Sequence, residues 1–130
     1  LALIDAAERA LAAGIGAAQP GARLGDVGHA IGAAGRVAGF GMLADHGGHG
    51  VGRSMHEQPH VPNQGRARRG LILRPGLVLA IEPMLLSGGG DGYRHDHDGW
   101  TLRTADGSRA AHVEHTIAVT EDGPRILTVL

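Results

Sequence analysis

Across residues 1–18 apolar side chains recur at Leu3, Ile4, Ala7, Leu11 and Ile15, with Asp5, Glu8 and Arg9 on the remaining faces. Spacings of three and four predict a helix, and Pro20-Gly21 stops it. The period returns at Leu24, Val27, Ala30, Ile31, Ala34 and Val37 and predicts a second helix that leaves at Gly39 and Gly41. Gly25, Gly28, Gly32 and Gly35 weaken its intrinsic preference. Beyond it the pattern changes. Residues 47–52 are glycine-rich, and residues 59–74, polar and carrying Arg66, Arg68 and Arg69, read as loop. Residues 77–81 form a short continuous apolar run between Pro75-Gly76 and Pro83, as in a strand covered on both faces, with Glu82 at its end. Residues 87–99 read as an exposed excursion between strands. Residues 112–120 alternate, with His112, Glu114, Thr116 and Ala118 on one face and Val113, His115, Ile117 and Val119 on the other. A final strand is expected over 125–128, after the Asp122-Gly123 turn. Two helices followed by several antiparallel strands make an α+β layout, helices packed on one face of a curved sheet.

Composition narrows the class. At 130 residues the chain is one domain's worth, residues 1–130. Its 12 basic and 13 acidic residues leave a net charge of −1, so no long-range field draws it to nucleic acid or an anionic membrane. There is no cysteine and no apolar run near the roughly 20 residues that span a bilayer, which fits a soluble, cytoplasmic protein. Leu1 stands where an initiator methionine would, inside helical sequence, and reads as though an earlier portion were missing.

Three places can carry chemistry. The first is the run from Gly47 to Pro59, where His49 and His56 sit seven apart among glycines that let backbone and ligand approach closely. A histidine pair in a glycine loop points by itself no further than ordinary hydrogen bonding. The second is Glu82, closing a wholly apolar strand, where an unpartnered carboxylate would cost several kcal/mol and must be protonated, paired with an arginine or bound to a metal. The third is Glu114, inside the last long strand, whose plainer reading is a solvated face. Singly, each plainer reading is at least as strong; together, imidazole and carboxylates on separate strands resemble a site for a divalent metal, and suit manganese, iron, cobalt or zinc. His95 and His97 with Asp91, Asp96 and Asp98 lie in a flexible-looking glycine loop and read as surface.

At these residues the chain resembles the type I methionine aminopeptidases of the M24 pita-bread metallopeptidases. The resemblance rests on Gly48-His49-Gly50-Val51-Gly52 with His56-Glu57-Gln58-Pro59, Leu73-Arg74-Pro75-Gly76 leading to Ile81-Glu82-Pro83-Met84, Asp98-Gly99-Trp100-Thr101, and Val113-Glu114-His115-Thr116, in order and spacing. It covers nearly all of this chain but only the C-terminal half of such an enzyme, a half pita-bread. It implies that His49 and Glu82 ligate one ion and that Glu114 bridges two, the pair being cobalt, manganese, iron or zinc. It implies that Glu82 moves a proton, that His56 contacts the scissile amide and holds the tetrahedral intermediate, and that Met55 and Trp100 line the methionine pocket. His112 stands where many relatives carry glutamine, and is expected to tune the ligands from behind.

The same resemblance supplies two further aspartate ligands and a catalytic histidine upstream of the matching segment. Asp5 and Asp26 lie on the helices and do not replace them. The expectation is therefore an aminopeptidase that removes N-terminal methionine from nascent peptides, with this portion inactive alone. Two alternatives stand beside it: a homodimer in which two halves pool their donors, and a non-catalytic module holding a peptide in the groove.

Overall fold

The computed structural model describes residues 1–43 and 45–129. The two helices form as the apolar period predicts, α1 over Ala2–Ala17 and α2 over Leu24–Val37. Their packing rests on small side chains. On α1 the buried stripe is Ala6, Ala7, Ala10, Leu11 and Gly14, while Ile4 is half exposed. At Gly14 a β-carbon would stand 2.6 Å from Ile31 Cγ1, so this glycine is the notch that admits Ile31 of α2. The glycines of α2 are equally purposeful. Gly25, Gly28, Gly32 and Gly35 are buried along one face, and the backbone of residues 62–69 lies directly on the first three. A β-carbon at Gly25 would overlap the Arg66 carbonyl oxygen, and one at Gly28 would be 2.7 Å from that of Gln64. The stripe that weakens helix propensity is thus the surface on which the loop docks. Asp26 secures the start of α2, accepting from the backbone N–H of Arg23 (2.8 Å) and of Arg68 (2.7 Å). Gly39, at φ 84°, turns the chain out of α2.

Ten strands follow among the described residues: β1 Gly41–Met42, β2 Gly47–Gly50, β3 Glu57–Pro62, β4 Val78–Ile81, β5 Met84–Leu86, β6 Tyr93–His95, β7 Leu102–Thr104, β8 Ala110–His112, β9 His115–Thr120 and β10 Gly123–Ile126. Among the described residues they make a five-stranded sheet in the order β10-β9-β4-β2-β3, a three-stranded sheet β1-β5-β8 and the hairpin β6-β7, all paired antiparallel. Ile31, Met42, Leu73, Leu79, Ile81, Leu85, Ile117 and Val119 fill the core between helices and sheets. The α+β architecture matches the expectation, and β4 is the buried apolar strand foreseen at 77–81.

Four local expectations are corrected. The loop expected over 59–74 begins as strand: β3 runs to Pro62, with His60 opposite His49 and Val61 wholly buried. As the edge of the sheet, β3 tolerates Pro59 and Pro62, which lack the N–H a central strand would need. The excursion at 87–99 contains β6, hydrogen-bonded to β7. The last strand is Gly123–Ile126 instead of 125–128. The continuous strand expected over 112–120 is two strands. β8 pairs with β5, ending at Met84↔His112, while β9 pairs with β4, starting at Ile81↔His115. Pro83 has no N–H to donate, and across from it the Val113 N–H donates to the Pro83 carbonyl at 3.3 Å, so the regular two-way pairing is interrupted at this level. The two sheets therefore meet at a seam of two residues per chain, Glu82-Pro83 facing Val113-Glu114.

Asp91, in the segment before β6, ties that segment to α2 and β1. Its carboxylate accepts from both terminal nitrogens of Arg36 (2.7 and 2.6 Å) and from the Met42 backbone N–H (2.9 Å). These bonds to Arg36 hold its pKa below the ordinary value of 3.8. We expect Asp91→Ala to cost about 1–2 kcal/mol, mostly from the N–H of buried Met42, because the ion pair is more than a third exposed and screened. A depressed carboxylate stabilises the folded state only while ionised. The difference between wild type and variant should be full above pH 3.8 and shrink as pH falls through the lowered value, read by urea unfolding at several pH values.

Candidate metal centre

The seam gathers the acidic groups. Glu82 stands two residues after Ala80, so the two side chains share a face of β4. His49 on β2 lies opposite Ala80 and therefore projects to that same face. Across the seam, Glu114 precedes His115, the partner of Ile81, which places it opposite Glu82. One donor atom from each of His49, Glu82 and Glu114 lies within 4.8 Å of the others. Among the described residues this is the one group of three or more side chains so placed to hold a metal ion.

The chemistry of the donors fits an ion. His49 Nδ1 lies 2.9 Å from the Gly50 carbonyl oxygen, an acceptor only, so Nδ1 carries the proton and Nε2 presents its lone pair. That lone pair faces Glu82 Oε1 at 3.1 Å. Two lone pairs at that distance call for a proton or a cation between them. Burial, and then the neighbouring Glu114 carboxylate, push the pKa of Glu82 above the ordinary 4.5, partly offset by His112 and His49. A divalent cation would relieve the same crowding. One imidazole and two carboxylates suit a first-row divalent metal.

Around this cluster the other expected residues are distributed unevenly. His112, on β8, brings Nε2 to 3.2 Å from Glu82 Oε2, so Glu82 has an imidazole at each oxygen. His56 leans on His49, ring centroids 4.3 Å apart and tilted 41°. Both rings line a cavity of about 390 Å³ with Glu57, Gln58 and His60. On the other side, Glu114 and His115 border a larger, open and mainly apolar hollow of about 660 Å³ lined by Leu11, Ile15 and Ile126. Met55 and Trp100 are 73% and 83% exposed. His95 and His97 stay at the surface. Their acidic neighbours are engaged locally, Asp96 with Arg103 at 2.6 Å and Asp98 with the hydroxyl and backbone of Thr101. No helix among the described residues is long and apolar enough to cross a membrane.

The model of metallopeptidase family M24 matches residues 1–121. Methionine aminopeptidase 1 of Mycobacterium tuberculosis (strain CDC 1551 / Oshkosh) is 54% identical over 134 residues, covering 98% of this chain and 50% of that protein. The crystal structure of methionine aminopeptidase from Thermotoga maritima superposes with a TM-score of 0.94 at 46% identity, over 98% of this chain and 51% of that one. Prolidase from Pyrococcus furiosus shares the fold alone, with a TM-score of 0.73 at 22% identity over 98% of this chain and 32% of that one. The fold is thus that of one half of the pita-bread architecture, and the chain spans about half the length of the curated relatives it matches. These 130 residues belong to metallopeptidase family M24.

Proposed function

We propose that the chain forms one half of a metal-dependent aminopeptidase that removes N-terminal methionine from peptides, and that His49, Glu82 and Glu114 are its metal ligands. The observation that carries this reading is the convergence of those three donors from three separate stretches of strand and seam, in a chain whose relatives are named methionine aminopeptidases. In the complete enzyme the centre would hold two divalent ions, with Glu114 shared between them. A bound divalent ion supplies Lewis acidity, making a water molecule acidic and polarising the scissile carbonyl.

The residues of this chain do the rest. Glu82, beside Glu114 in the cluster, takes the water's proton and returns it to the departing amine. His56, beside His49 and open to the cavity, donates to the peptide as charge builds on its carbonyl oxygen. His112 holds the second oxygen of Glu82. Met55 and Trp100, both exposed, contact the thioether of the substrate.

The test is calorimetric titration of manganese or cobalt into the purified chain, with methionine release from a short methionyl peptide followed in parallel. Saturable binding near one ion per chain without turnover is the expected result. Absence of binding at millimolar metal would sink the metal assignment; turnover by the 130 residues alone would overturn the proposed need for a second half.

A further inference from the structure

Among the described residues two polar or charged side chains are buried, Glu82 and Asn63, and they are joined. Asn63, 1% exposed and just beyond β3, donates from Nδ2 to the backbone carbonyl of Glu82 at 3.0 Å. The same nitrogen faces the carbonyl of His46, just before β2, at 3.5 Å. The amide can stand only this way round, since the flipped orientation would set Oδ1 against two carbonyl oxygens. Glu82 needs such a partner. The ladder between β2 and β4 ends with His49 opposite Ala80, and Pro83 breaks the run that follows, so the Glu82 carbonyl lies beyond regular pairing while still buried. One side chain thus joins the start of the strand that carries His49 to the end of the strand that carries Glu82.

That arrangement costs the fold something, because among the described residues Asn63 Oδ1 is buried with no hydrogen-bond partner. A leucine of similar reach would avoid the orphaned oxygen, yet it would leave the Glu82 carbonyl bare. We infer that Asn63 is a positioning residue for the metal cluster, its amide holding the Glu82 backbone so that Oε1 stays within reach of His49 Nε2. This rests on the reading of His49, Glu82 and Glu114 as metal ligands.

Cobalt(II) titration tests it, because both affinity and the visible spectrum report on the donor set. Asn63→Leu should bind cobalt about 10–100-fold more weakly than wild type, the loss typical of a support behind a ligand, with a changed spectrum at saturation. Asn63→Thr, polar and closer in volume to asparagine but too short to reach both carbonyls, should shift in the same direction and guards against a leucine variant that does not fold. Val27→Ala, a truncation at a wholly buried position of α2, controls for lost stability and should bind like wild type. Unchanged affinity and spectrum in the Asn63 variants, or equal weakening in Val27→Ala, would overturn the inference. Failure of wild type itself to bind cobalt would instead remove the metal reading on which it stands.

Discussion

Glu82→Gln should weaken divalent-ion binding by more than 100-fold while making the metal-free chain more stable. The first effect follows from removing a charged donor at the centre of the cluster: loss of a mere support behind a ligand costs about 10–100-fold, and loss of the ligand itself costs more. The second follows from the crowding that marks the site. Burial and the adjacent Glu114 hold the pKa of Glu82 above 4.5, so in the folded, metal-free chain its ionised form is disfavoured relative to the unfolded chain. For a carboxyl whose folded value is raised, unfolding binds fewer protons than the native state in the window above 4.5. Stability therefore falls as pH rises from 4.5 through the raised folded value, then levels off. Glutamine has the same shape and no charge, and escapes this loss. In chelator the variant should unfold at a higher temperature than wild type at pH 7, and the two should converge below pH 4.5. With metal at 100 times the wild-type dissociation constant binding acts in the opposite direction. Wild type gains about 2.7 kcal/mol from binding, and a variant 100-fold weaker gains about 0.4 kcal/mol. Thermal melts with and without manganese, at two pH values, read both signs. Equal metal-induced stabilisation of the two proteins would show that Glu82 is not a ligand.

Such opposed effects explain how the site could be read from the chain. A carboxylate at the end of an apolar run, followed by proline, is conspicuous because burial there is costly without a partner. Glu114 was harder. Alternation placed it on one face of a continuous strand, and the strand is broken, yet the face holds because the break removes two residues from each side of the seam at the same level. The helices were legible from apolar period. The role of their glycines was not, since docking of the 62–69 backbone on Gly25, Gly28 and Gly32 is a tertiary matter. Strand β3 escaped because edge strands admit the prolines and polar residues that otherwise signal loop. Asn63 left no trace at all: its two carbonyl partners lie 17 and 19 residues away. Met55 and Trp100 came from the family resemblance alone, and no local pattern marked them.

Gly48→Ala should destabilise the chain by about 3 kcal/mol or more and weaken metal binding without touching a ligand. Gly48 sits in β2, between β3 and β4, and is wholly enclosed. A β-carbon there would overlap the Ala80 carbonyl oxygen, stand 2.9 Å from the Ala80 carbonyl carbon and reach 3.2 Å from Val61 Cβ. The atoms in the way on the β4 side are backbone, so no rotamer change can relieve the clash. Overpacking ordinarily costs about 1–3 kcal/mol when side chains can yield, and the upper end or beyond applies where a strand must move. The movement available is separation of β2 from β4. That draws His49, the next residue, away from Glu82, two residues beyond Ala80, and lengthens the 3.1 Å approach of Nε2 to Oε1. Fold and site are thus coupled through one missing methyl group. Gly16 provides the contrast, because a β-carbon there meets nothing within 4 Å. Gly16→Ala, on an exposed position of α1, should stabilise by about 0.5–1 kcal/mol and leave metal affinity unchanged. Urea unfolding and cobalt titration of both variants separate the cases. A Gly48→Ala protein with wild-type stability and wild-type cobalt affinity would mean that β2 and β4 need not approach this closely to assemble the cluster.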